Sequence, residues 1–181
     1  MEEGKAWLEG FASRFVTKCN EEGSYELVKV GDKTTNTGGY CVIMESKKLP
    51  EAFKIELWLD EYVTHKTNKT KMLWVGFYFA GDSIRDKIRD AFSALPTIDD
   101  RHVTEGPSNI KCIENLDKIN GFEVGKEALE YYEENESAGD GYLGKYFDYK
   151  DPHECDVDDE LLNESYKYVA SNIPKLIKCL S

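Results

Sequence analysis

Two stretches, Phe53–Asp60 and Leu73–Phe79, alternate apolar and polar side chains with a period of two. In the first, Phe53, Ile55, Leu57 and Leu59 point one way, and Lys54, Glu56, Trp58 and Asp60 the other. In the second, Leu73, Val75, Phe77 and Phe79 share a side. A helix cannot bury such a pattern, whereas a strand with one face against a core does. The connection Glu61–Lys71 is rich in Thr and Lys, which suits an extended hairpin with an exposed basic tip. Within it His65, Lys66, Lys69 and Lys71 read as a solvated turn, too short for a nucleic-acid site. Trp58, Trp74 and Tyr78 fall on the second face, where an aromatic group of this size calls for a cover. A covering helix is the expectation.

The remaining elements follow from spacing and breakers. Trp7, Leu8, Phe11, Phe15, Val16 and Cys19 recur every three or four residues and predict a helix over 5–19, ended by Glu21-Glu22-Gly23. Tyr25–Val30 and Tyr40–Glu45 read as strands on either side of a turn-rich stretch. Gly81-Asp82-Ser83, with Asp86 three residues after the serine, predicts a capped helix carrying Ile84, Ile88, Ala91, Phe92 and Leu95 up to Pro96. Residues 97–121 are mixed, with a turn at Gly106-Pro107 and a short strand at Ile110–Glu114.

A further helix is expected from Val124 to Glu136, after which Gly139, Gly141 and Gly144 act as breakers. Tyr146–Tyr149 reads as a short strand or an aromatic loop. The last helix starts near Asp156–Asp159, runs through Leu162, Tyr166, Val169, Ile173, Ile177 and Leu180, and is kinked by Pro174. This order predicts one α+β domain over residues 1–181, a mainly antiparallel sheet of four to six strands packed with about four helices.

Charge is distributed unevenly. Between Glu123 and Glu164 fifteen Asp and Glu face three Lys, a net −12 that equals the formal charge of all 181 residues. Everything outside this acidic, Tyr-rich stretch (about 122–165) sums to zero. Such a surface attracts cations and basic proteins and repels nucleic acid and anionic membranes. The five cysteines form no CxxC pair and read as reduced thiols of a cytoplasmic protein. The acidic N-terminus does not read as a secretory signal, and no stretch approaches the length of a membrane helix.

There is no complete Walker loop, GxSxG or HExxH. His153-Glu154-Cys155 is a poor zinc site, because adjacent side chains do not converge on one ion. An EF-hand with Gly141 in sixth place would put Ala138 third and Phe147 twelfth, so the pattern fails. No cofactor or metal is expected. Trp74-Val75-Gly76-Phe77-Tyr78 is similar to a string in small-molecule sensor domains, but a buried aromatic strand accounts for it.

Asp32 followed by Glu45-Ser46-Lys47 resembles, over these residues alone, the acid-x-Lys pattern of PD-(D/E)XK nucleases. The resemblance implies that Asp32 and Glu45 would hold Mg²⁺ while Lys47 activates water. That is the alternative reading: a small Mg-dependent nuclease.

The favoured reading is a non-enzymatic interaction protein that meets a basic surface, with no direct nucleic-acid or membrane partner. Its expected contact residues are Tyr131, Glu133, Glu134, Glu136, Asp140, Tyr142, Tyr146, Asp148, Tyr149, Asp151, Asp156, Asp158 and Asp159. Carboxylates would stand in for phosphates, and tyrosines would add contact area at low entropic cost. In size and charge the chain is similar to phage-type inhibitors of restriction or CRISPR enzymes. That similarity implies an inhibitor of a nuclease or other DNA-handling enzyme.

Overall fold

The computed structural model describes residues 2–34, 39–64, 68–95, 97–99, 103–105, 111–113, 127–132, 140–148 and 159–181. Its elements are α1 (Glu2–Gly23), β1 (Leu27–Thr34), β2 (Tyr40–Ser46), β3 (Phe53–Thr64), β4 (Asn68–Ala80), α2 (Asp82–Ala91), β5 (Thr97–Asp99), β6 (Val103–Glu105), β7 (Lys111–Ile113), β8 (Glu127–Tyr132), β9 (Asp140–Asp148) and α3 (Asp159–Leu180). Seven strands form one sheet in the order β1-β2-β3-β4-β9-β8-β5. All neighbours are antiparallel except the short edge strand β5, which runs parallel to β8. The fold is α+β, as its order of elements predicts. The β6–β7 ribbon stands apart from the sheet in pairing and lies against β3.

Alternation decides which side of the sheet is core. Register places Val42, Leu57, Val75 and Lys145 in one cross-strand row, with Met44, Ile55, Phe77 and Leu143 in the next such row. The apolar members of these rows are buried together with Leu8, Phe11 and Phe15 of α1, Ile88 of α2, and Val169 and Leu176 of α3. The three helices among the described residues therefore sit on one face of the sheet. At roughly 1.5–3 kcal/mol per fully buried large apolar side chain, this packing is the main favourable contribution to folding.

Local chemistry fixes the joint between α1 and β1. The chain turns through Ser24 and Glu26, both at positive φ (53° and 50°), a conformation that costs a non-glycine residue about 1–2 kcal/mol. Asn20 holds the turn in place. Its Nδ2 donates to the Leu27 carbonyl at 2.9 Å, and its Oδ1 accepts from the Leu27 N–H at 2.6 Å. Helix α2 begins at Gly81, whose φ of 103° suits glycine, and no side-chain hydrogen bond caps it. Of the Gly81-Asp82-Ser83 stretch expected to cap this helix, Gly81 is the N-cap residue. Pro174 lies inside α3, which continues to Leu180.

Two further expectations are corrected. Within 124–136, where a helix is expected, residues Glu127–Tyr132 are strand β8. Gly141 and Gly144 do not break the chain but lie inside β9. A Cβ at Gly144 would fall inside the indole of Trp74, and one at Gly141 inside the ring of Phe79. These glycines are close-approach positions of a central strand, and β9 gives Ala128 and Leu129 a ladder partner.

Candidate functional site

The acidic third enters the structure through β8, β9 and the start of α3. Asp140 opens β9 opposite Tyr132 and Ala80, while Asp148 closes it opposite Met72. The strand has nine residues, so at about 3.4 Å per step its ends lie roughly 27 Å apart. The connection carrying Glu133, Glu134 and Glu136 joins β9 at the Asp140 end. The connection carrying Tyr149, Asp151, Asp156 and Asp158 leaves from the Asp148 end. These seven residues lie outside the described residues, but their anchoring points are at opposite ends of one strand.

The tyrosines of β9 belong to the sheet itself. Tyr146 is buried opposite Trp74, and Tyr142 is half-buried opposite Tyr78. The Trp74 and Tyr142 rings meet edge to face with centroids 5.7 Å apart, and Tyr78 stands 5.3 Å from Tyr142. Trp74, laid across Gly144, is only 3% exposed. Trp58, Trp74 and Tyr78 do occupy the face opposite the helical core, as alternation requires. Among the described residues no helix covers that face, and the flat indole and its tyrosine neighbours fill it instead. Tyr131 stands at the register position opposite Gly141.

Asp159, the first residue of α3, is exposed and pairs with Arg14 of α1. Both helices line a groove of about 500 Å³ with Ser13, Arg14, Thr17, Lys18, Glu21, Glu22, Asp159, Leu162 and Asn163. Asp159 is thereby joined to carboxylates of α1 that lie outside the acidic third.

Asp32, Glu45 and Lys47 are not brought together. Asp32 stands opposite Val42, in the row that faces the helices, and pairs with Lys29 at 3.6 Å. Glu45 lies three positions further along β2, on the other face, paired with Lys54. Lys47 pairs with Glu26 at 3.2 Å. Among the described residues no group of three or more His, Cys, Asp or Glu is placed to hold a metal ion.

One polar cluster escaped the sequence reading. Glu56, which alternation places on the second face, is only 2% exposed. Its carboxylate accepts from Trp58 Nε1 at 2.6 Å, lies 3.5 Å from Lys33 Nζ, and is 3.7 Å from the buried thiol of Cys41. Lys33 also stands over the Trp58 ring, 4.6 Å from its centroid. A period-two pattern shows which face a side chain takes but not whether that face is covered. On the helical side, Tyr40 donates to Glu9 at 3.0 Å, and burial, then this carboxylate and Asp32, push its phenol upward. Burial likewise pushes the Cys19 thiol up to about 12.

No helix among the described residues is long and apolar enough to cross a membrane. Neither protein-family models, curated proteins nor solved structures match the chain.

Proposed function

We propose that this protein is an acidic binding module that docks, without chemistry of its own, on the basic nucleic-acid-binding surface of a nuclease or other DNA-handling enzyme. The carrying observation is that the full net charge of −12 resides in residues 123–164. Two features of the fold support the reading. The acidic stretches are anchored roughly 27 Å apart on a central strand, a separation suited to a cationic groove rather than to a single basic residue. Asp159 is presented in the open on α3. Contact is carried by the carboxylates, because Tyr142 and Tyr146 are spent on the sheet. Opposed potentials speed encounter and fix orientation, so binding weakens as salt screens them.

The test is a competition assay with the full chain, a labelled DNA duplex, and restriction and CRISPR nucleases held as DNA complexes. The chain should displace DNA from at least one of them, and less so as salt rises. Replacing Glu133, Glu134, Asp156, Asp158 and Asp159 by amides should abolish displacement while leaving the unfolding midpoint intact. Competition that survived both the substitutions and high salt would sink the electrostatic account.

A further inference from the structure

We infer that the protein forms a two-fold dimer in which β1 of one copy pairs antiparallel with β1 of a second, joining the two sheets into one. The sheet ends on one side at β5, which has three residues, and on the other at β1, which has eight. Among the described residues β1 pairs with β2 alone, and its other edge is open. Asn20 already takes the amide and carbonyl of Leu27, so the open run is Val28–Thr34. Val28 and Val30 stand 51% and 47% exposed on it, two of the three large apolar side chains so exposed among the described residues. An open edge carrying apolar side chains is a template for a further strand.

Register and charge point to a second copy as the occupant. Lys29 stands opposite Met44 and Asp32 opposite Val42, so both take the helical face. Residues three apart on a regular strand would face opposite ways, and the bulge between Lys29 and Gly31 brings these two to one side. A two-fold axis between Val30 and Gly31 therefore sets Lys29 of each copy beside Asp32 of the other, on the same face as an antiparallel pair requires. An edge lysine rejects a neutral or basic strand, whereas this register answers it with an acid. The same axis lays Val30 of one copy over Gly31 of the other. A Cβ at Gly31 would meet no atom within 4 Å beyond its chain neighbours, and its φ is not positive. Nothing within one chain requires a glycine there, and the open space suits the exposed valine of a second copy. Repulsion between two such acidic chains is also least at this edge. Strand β1 carries Lys29, Asp32 and Lys33, a net +1, and lies four strands from β9 of the acidic third. In the dimer the two β9 strands stand nine strand spacings apart, at most about 43 Å at about 4.8 Å each.

The experiment is sedimentation velocity of the full chain across the micromolar range, up to about 1 mM, with circular dichroism to check the fold of each variant. The wild type should pass from monomer to dimer as concentration rises. Val28→Lys with Val30→Lys, both at exposed positions, should stay monomeric throughout. Lys29→Asp alone and Asp32→Lys alone each set like charges across the axis twice, and each should weaken the dimer about tenfold. An equimolar mixture of these two variants restores opposite charges at both contacts and should recover most of the wild-type dimer fraction as a mixed pair. A wild type that stays monomeric at the highest concentration would overturn the inference. So would a dimer that survives the paired lysines, or a mixture no tighter than either charge variant alone. The docking proposal stands apart from each of these results, because it is read by displacement of DNA.

Discussion

The indole N–H of Trp58 donates to the carboxylate of Glu56, two positions earlier on β3, at 2.6 Å. Both lie on the face of the sheet that no helix covers among the described residues, yet Glu56 is almost fully buried. Glu56→Ala should cost about 1–3 kcal/mol, because the half-buried Trp58 donor loses its acceptor and Lys33 loses its counter-charge. Glu56→Gln keeps an oxygen for Trp58 and should cost about half as much or less. Urea unfolding followed by tryptophan fluorescence checks both. Equal midpoints for the wild type and the alanine variant would show that the cluster contributes nothing.

Gly144 and Trp74 form a second dependent pair. Even one methyl at position 144 would collide with the indole, so Gly144→Ala should destabilise by about 1–3 kcal/mol. Shortening the ring relieves the collision. In a Trp74→Phe background the same glycine change should cost less than half as much, a coupling that a double-mutant cycle reads directly.

Two buried polar residues of α3 should respond in opposite directions. The Ser165 hydroxyl is buried without a hydrogen-bond partner among the described residues. Ser165→Ala should leave stability unchanged or raise it by up to about 1 kcal/mol. Asn172 instead donates to Glu127 at 3.2 Å and to the Tyr168 carbonyl at 3.0 Å. Asn172→Ala should cost about 1–2 kcal/mol. Thermal unfolding of the two variants side by side distinguishes these outcomes.

Alkaline pH should weaken the fold through Cys19. Burial raises its thiol from 9.0 to about 12 in the folded chain. Above about pH 9 the unfolded chain gives up this proton while the folded chain keeps it. The stabilisation is thus complete below pH 9 and is lost as pH climbs toward 12. Tyr40, also raised by burial, acts in the same direction at higher pH. Comparing urea midpoints of wild type and Cys19→Ala from pH 7 to 10.5 isolates the thiol, and the variant should show the shallower decline.

The strongest sequence patterns were the local ones. The alternation of β3 and β4 and the apolar stripe of α1 gave element type, buried face and core membership, because each is stated by spacing within one segment. The strand β8 was misread as a helix, since Ala128 and Leu129 also suit a helical face and their true partner, β9, looked broken by glycine. What makes Gly141 and Gly144 necessary is the rings of Phe79 and Trp74, more than sixty residues earlier in the chain. Charge totals located the acidic third but said nothing of the strand β9 that runs through it. Likewise the groove pairing Asp159 with Arg14 depends on helices from opposite ends of the sequence meeting.

The pairing of β4 with β9 has a bearing on synthesis. Until residues 140–148 leave the ribosome, the far edge of β4, with Leu73, Val75, Phe77 and Phe79, has no ladder partner. At about 5–20 residues per second the wait lasts several seconds. During that interval the nascent chain presents an unsealed, strongly apolar strand, and its yield in cells should depend on chaperones that shield such edges.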